Sequence, residues 1–247
     1  MSRPAAARRE DLVALFREAR GCTACPLSGS RTQVVFGNGN ADADLIFVGE
    51  APGFHEDPQG VTFVGRAGGL LDELLAEQGL SRDSVFVLNV LKCRPPDNRD
   101  PQPDEIETCR PYLDRQVELI EPLVICTLGN FATKLLTGSP AGITRVHGPP
   151  QMHTIGGRSV RIYPLFHPAA ALRTPRVKEQ LREDFSRLPS LLAEARDSSG
   201  TARAPVAAAP AAPPAGHASV QDPEVSAQQA RAAADQLGLF GQTVPPD

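Results

Sequence analysis

The stretch Leu45-Ile46-Phe47-Val48-Gly49-Glu50-Ala51-Pro52-Gly53 decides how the chain is read. Four apolar residues in an unbroken run suit a strand buried on both faces, and the turn-forming residues behind them end it. Three further runs of this kind follow, Val85 to Asn89, Leu123 to Thr127 and Val160 to Leu165. Between them the apolar residues recur at helical spacing: Leu70, Leu71, Leu74 and Leu75 form one stripe, Ile106, Cys109, Leu113, Val117 and Ile120 a second, and Val177, Leu181, Phe185 and Leu188 a third. Strands alternating with helices predict a three-layer αβα domain with a central, largely parallel four-stranded sheet.

In such a sheet, ligands bind in the crevice beyond the carboxyl ends of the strands. The first strand runs into Glu50, the second ends at Asn89, and the last delivers His167 and Pro168. A carboxylate, an amide and an imidazole are therefore expected to share one crevice.

At 247 residues the chain can bury one good core. The expected layout is a flexible start over 1–9, one domain over 10–196, a disordered Ala/Pro-rich linker over 197–232 and a tail over 233–247. Within that tail Gln236, Leu237, Gly238, Leu239 and Phe240 form an isolated apolar island, the composition of a docking peptide. A net charge of −4 excludes a protein that coats nucleic acid indiscriminately, while allowing one basic face. The sequence contains no run of about 18 apolar residues and no signal-peptide pattern, so a cytoplasmic, membrane-free protein is expected.

Disulfides do not persist in a reducing compartment, which leaves metal ligation or core packing for the five cysteines. Cys22 and Cys25 are two residues apart, a spacing that lets both thiolates grip one metal centre, and Cys93 and Cys109 can close the set after folding. Zinc and a [4Fe-4S] cluster both accept four thiolates. Cys126, inside an apolar strand, reads as a core thiol.

These residues resemble family-4 uracil-DNA glycosylases, the iron-sulfur branch of the uracil-DNA glycosylase superfamily, over nearly all of residues 10–190. The resemblance is carried by both cysteine pairs and by Gly49-Glu50-Ala51-Pro52-Gly53 with Glu56 and Asp57. Phe63-Val64-Gly65-Arg66-Ala67-Gly68 and Asn89-Val90-Leu91-Lys92-Cys93-Arg94-Pro95-Pro96 extend it, and His167-Pro168-Ala169-Ala170-Ala171-Leu172-Arg173 completes it. It implies a structural [4Fe-4S] cluster on Cys22, Cys25, Cys93 and Cys109. It further implies a flipped-out uracil stacked on Phe63, read at its edge by Asn89, with the Ala51 backbone and Glu56 closing the pocket.

Physical chemistry agrees with those roles, since a base inside a duplex is unreachable until it is extruded and stacked. An amide donates to uracil O4 and accepts from N3–H, whereas cytosine reverses that pattern. Cleaving the base-sugar bond needs a donor at uracil O2, the role of His167. It also needs an anion or activated water near C1′, the role of Glu50. Family-5 relatives lack an acid at the position of Glu50, which points to family 4.

Leu172 resembles a minor-groove wedge and Arg173 a phosphate contact, while Ala169 departs from the serine of many relatives. Lys92, Arg94 and Arg99 read either as phosphate contacts or as a solvated charge run. Residues 94–109 contain no histidine, unlike a covalent-trapping relative, so ordinary turnover is expected. The tail peptide resembles those that dock on the bacterial sliding clamp. The expected substrate is uracil-containing DNA, single- or double-stranded, bound by a monomer. The competing expectations are a base-binding module without turnover and a zinc-stabilised nucleotide-binding protein.

Overall fold

The structure, a computed structural model, describes residues 3–199. In chain order its helices are α1 (Ala5–Arg20), α2 (Glu56–Gln59), α3 (Arg66–Glu77), α4 (Pro103–Ile120), α5 (Gly129–Thr137), α6 (Ile143–Val146), α7 (Pro168–Ala171), α8 (Pro175–Ser186) and α9 (Leu188–Ser199). Its strands are β1 (Asn38–Gly39), β2 (Leu45–Gly49), β3 (Phe86–Asn89), β4 (Val124–Leu128), β5 (Gln151–Ile155) and β6 (Arg158–Leu165). They form one sheet in the order β1-β3-β2-β4-β6-β5.

The four expected strands are its parallel centre, β3-β2-β4-β6. Each flank adds an antiparallel edge strand, so the sheet has six strands rather than four. Neither edge strand carries a continuous apolar run: β1 is the dipeptide Asn38-Gly39, and β5 alternates half-buried with exposed residues. What marks β5 is its turn. Gly156 and Gly157, both at positive φ (55° and 73°), close a two-residue hairpin between Ile155 and Arg158, a conformation open to glycine at little cost.

The strand period of two divides the interior into two cores, one on each face of the sheet. Ile46, Val48, Phe86 and Leu88 pack with Leu12 and Leu15 of α1, Leu113 and Val117 of α4, and Ala132 of α5. Leu45, Phe47, Val85 and Val87 point the other way and pack with Leu71 and Leu74 of α3, Phe185 of α8 and Leu188 of α9. Phe47 stacks on Phe185 with centroids 5.7 Å apart, and the Tyr163 hydroxyl donates to the Asp184 carbonyl at 3.0 Å, so β2 and β6 are both fixed to α8. Cys126 is fully buried in this second core.

Three boundaries differ from the sequence expectation. Residues 5–9 are helical rather than a flexible start, because Arg8 is drawn into the interior by Asp42 and by Glu121, whose carboxylate lies 2.7 Å away. Residues 197–199 belong to α9 rather than to a linker. The stripe Val177, Leu181, Phe185 and Leu188 spans two helices, since the chain leaves helical hydrogen bonding at Arg187 and Leu188 opens α9. The linker from residue 200 and the island Gln236, Leu237, Leu239 and Phe240 lie outside the described residues.

The hairpin gives a test of this packing. A Cβ at Gly156 would sit 2.4 Å from the Asp114 carbonyl oxygen of α4, whereas at Gly157 it meets nothing within 4 Å. Gly157→Ala should cost about 1–2 kcal/mol, the left-handed backbone penalty alone. Gly156→Ala should cost clearly more, because α4 must also shift; urea denaturation of the two variants measures the difference.

Candidate active site and cysteine cavity

The crevice begins with register. Gly49 pairs with Asn89 at the carboxyl ends of β2 and β3, and the pairing continues past the strands as Val90 N–H donates to the Gly49 carbonyl and Leu91 N–H to the Glu50 carbonyl, each at 3.0 Å. The turn bearing Glu50 is thereby fixed to the segment behind Asn89. At Gly49 a Cβ would fall 2.3 Å from Asn89 Oδ1 and 3.0 Å from the Phe63 ring. The missing side chain is what lets the amide and the aromatic ring converge on one spot.

Asn89 is 2% exposed, and its Nδ2 makes no hydrogen bond to the protein. Leaving a buried donor unmade costs about 1–3 kcal/mol, and native proteins seldom tolerate it without a use. Its backbone carbonyl is held at 2.6 Å by the ammonium of Lys92, itself buried at 2% exposure.

Phe63 stands at φ 53°, a conformation unfavourable for an aromatic residue. Neighbours hold it there from every side. Thr62 is anchored by Asn38 and by the Val87 carbonyl, and Arg82 donates to the Phe63 carbonyl at 3.0 Å. Glu56 accepts from the backbone N–H groups of Gly53 and Phe63. Gly68 is equally constrained, because a Cβ there would lie 1.6 Å from the Phe63 oxygen. Glu56 therefore ties the Glu50–Glu56 loop to Phe63. Ala51, half-buried in that loop, packs against the first core.

His167 brings the third group. Its ring stacks on Phe63 with centroids 5.5 Å apart at 27°. A base sandwiched between two rings needs about 7 Å, twice a van der Waals contact, so a base can stack on only one of them. The Ala169 N–H donates to His167 Nδ1 at 3.1 Å, capping α7, so the ring's own proton resides on Nε2. Burial lowers the imidazolium pKa to about 4, which keeps this ring neutral at physiological pH. Glu50 is shifted the opposite way, its carboxyl raised by burial and then by the charge of Asp100.

Beyond α7, Leu172 is 37% exposed and Arg173 is exposed beside it. Leu172 is one of three exposed large apolar side chains among the described residues, with Met152 and Phe54.

Behind Lys92 lies a second feature. Cys22, Cys25, Cys93 and Cys109 line one cavity, which also receives Arg31 and Lys92 and is lined by no carboxylate. Arg31 approaches Cys93 Sγ at 3.3 Å and the Cys22 carbonyl at 2.7 Å, and Lys92 N–H approaches Cys109 Sγ at 3.4 Å. Four soft donors beside two cations suit an anionic thiolate-bound centre. Among the described residues no three metal-binding side chains converge closely enough to hold one ion. A single tetrahedral zinc would need them about 2.3 Å from a common point, whereas the thiolates of a [4Fe-4S] cluster bind separate irons and stand further apart.

A model of the Uracil DNA glycosylase superfamily matches residues 36–188. The chain belongs to that superfamily. It is 44% identical to the type-4 uracil-DNA glycosylase of Archaeoglobus fulgidus over 186 residues, 74% of this chain and 94% of the relative. It is 44% identical to that of Thermotoga maritima over 188 residues, 74% of this chain and 96% of the relative. The type-5 enzyme of Pyrobaculum aerophilum is more distant, 28% identical over 150 residues, 53% of this chain and 63% of the relative. Within the superfamily the likeness is to type 4.

The crevice groups Glu50, Ala51, Glu56, Phe63, Asn89 and His167, all singled out in the sequence. The sequence reading missed Asn38, Thr62 and Arg82, which hold Phe63, and Asp100, which biases Glu50. None lies in a motif; the φ of Phe63 had to be seen before its supports acquired meaning. Gly49→Ala should leave the protein folded and weaken recognition of uracil at least about 10-fold, since the added methyl displaces the amide and the ring together and small misplacements in a site are costly. Equilibrium binding to a uracil-containing oligonucleotide, with circular dichroism as the folding control, reads this directly.

Proposed function

We propose that the protein excises uracil from DNA in base-excision repair, extruding the base, hydrolysing its N-glycosidic bond, and leaving free uracil and an abasic site. The observation that carries the reading is the buried, unpartnered Nδ2 of Asn89 beside the Phe63 ring. That pair offers what an extruded pyrimidine needs, a flat apolar face and an amide that donates to O4 and accepts from N3–H. Cytosine would set donor against donor and acceptor against acceptor, a mismatch worth about 1–3 kcal/mol per group. The Ala51 backbone borders the pocket, and Glu56 fixes it by binding Gly53 and Phe63.

As the bond breaks, negative charge gathers on the base and positive charge on the sugar. A neutral His167 with its proton on Nε2 donates to O2 throughout, and its low pKa keeps it from protonating the departing base outright. The carboxylate of Glu50 completes the division of charge, orienting the water or facing the cationic sugar. Leu172 fills the gap left in the stack, and Arg173 meets a phosphate. Cys22, Cys25, Cys93 and Cys109 hold a [4Fe-4S] cluster, which when bound braces the segments around it; hydrolysis calls for no redox step. The enzyme acts as a monomer on nucleoid DNA in the cytoplasm, and Gln236, Leu237, Leu239 and Phe240 dock it on the bacterial sliding clamp, raising its local concentration.

Release of free uracil from an oligonucleotide tests the chemistry. His167→Ala and Asn89→Ala should each lower kcat/KM by about 10²–10³-fold. Failure of the wild type to release any base would leave a binding module as the better account. The pH profile adds a sign: Glu50 must be ionised and burial raises its pKa, so activity falls on the acid side as Glu50 gains its proton. Asp100→Asn removes the second cause of that raised pKa, and the acid limb should move to lower pH, incompletely because burial remains. For the tail, a peptide of residues 232–247 should bind a bacterial clamp and lose binding on Leu239→Ala with Phe240→Ala; an inert wild-type peptide refutes the docking role.

A further inference from the structure

Phe54 lies on the loop that begins at Glu50, yet neither the pocket nor the core uses it: the residue is 61% exposed, the most exposed large apolar side chain among those described. Water-facing aromatic area is unfavourable, and a single exposed Phe on a mobile chain would lie down on the surface to reduce it. This ring is instead exposed between two partners. The Arg94 guanidinium sits over it, 5.1 Å from its centroid, and His55 meets it edge-on at 5.3 Å. Arg94 is itself positioned, its Nε donating to Asn98 Oδ1 at 2.7 Å, and no carboxylate pairs with it among the described residues. The loop beneath is locked by the Glu56 bonds to Gly53 and Phe63.

Resting on the glycosylase reading, we propose that Phe54, backed by Arg94, is a stacking platform for the unpaired base next to the excised uracil, which favours single-stranded or frayed DNA. Three observations converge on that occupant. The platform joins the two segments that leave the pocket, since Phe54 follows Glu50 by four residues, Arg94 follows Asn89 by five, and the two side chains meet. Arg94 brings an uncompensated positive charge to a strand of phosphates, and its cation–π contact fixes the Phe54 ring in place. A free aromatic face beside a cation is also the arrangement by which single strands are held regardless of sequence. In a duplex the neighbouring base stays paired and stacked, so the platform gains little there. Selectivity between strand states follows from the surface rather than from the catalytic groups.

The test uses the intact protein and oligonucleotides bearing 2-aminopurine on either side of a uracil whose 2′-fluoro-arabinose sugar resists cleavage. Wild-type protein should change the fluorescence of one flanking 2-aminopurine in single-stranded DNA. Phe54→Ala and Phe54→Leu should abolish that change and Phe54→Tyr should keep it, because leucine preserves apolar area without a π-face. On cleavable substrates Phe54→Ala should lower kcat/KM about 10-fold for single-stranded DNA and leave duplex activity unchanged. An unaltered fluorescence change and an unaltered single-to-double-strand ratio in Phe54→Ala would overturn the platform and assign the exposed ring to another partner, such as a protein. Retained 2-aminopurine signals with no uracil release by the wild type would instead refute the glycosylase reading and leave the platform standing.

Discussion

Everything in the crevice depends on the absence of one methyl group. Gly49 ends the central strand β2 in register with Asn89, and the spot its Cβ would occupy is within 3.1 Å of both the Asn89 amide oxygen and the Phe63 ring. Parallel pairing puts the ends of neighbouring strands side by side, yet it also packs their side chains against one another. A residue with any side chain at this position would force the amide and the ring apart. Glycine costs conformational entropy within a strand, but here it creates the contact between a hydrogen-bonding edge and an aromatic face.

The second requirement is rigidity at Phe63. A left-handed aromatic residue is strained by about 1–3 kcal/mol and persists only where its surroundings over-determine it. The surroundings do so through four elements: Asn38 of β1 and Val87 of β3 hold Thr62, Arg82 holds the Phe63 carbonyl, and Glu56 of α2 holds its N–H. The edge strand β1, only two residues long, finds its purpose here, since it supplies the Asn38 side chain. Under the proposed function, a ring fixed in this way would receive a base without rearrangement, so less ordering would be needed on binding.

Legibility in the sequence followed from how continuous each signal is. The buried parallel strands were readable because Leu45–Val48 or Leu123–Thr127 must be apolar throughout, and the site was readable because the fold rule sends polar residues after such strands into one crevice. The edge strands were not, since a strand covered on one side keeps only alternate apolar residues; Gly156-Gly157 was the overlooked sign of β5. Arg8 shows a different limit. Three arginines near the start look like a solvated tail, and nothing local reveals that one of them is matched by Asp42 and Glu121 from distant segments. Phe54 escaped notice for the opposite reason, because a single aromatic residue in a loop acquires meaning only when its exposure is known.

Lys92 connects the two functional regions and bears on what the cysteines hold. Its ammonium is buried and donates to the Asn89 carbonyl, a neutral partner that does not balance its charge. Burial lowers the Lys92 pKa to about 8, and keeping the ammonium charged there calls for an anion nearby. The cavity it borders contributes four cysteines and no carboxylate, and protonated thiols would leave both Lys92 and Arg31 unmatched. Thiolates of the bound centre proposed for these cysteines would supply the missing charge. The same charge would then hold Lys92, and through it the carbonyl of Asn89, so under the proposed function a centre with no part in hydrolysis would still set the position of the residue proposed to read the base.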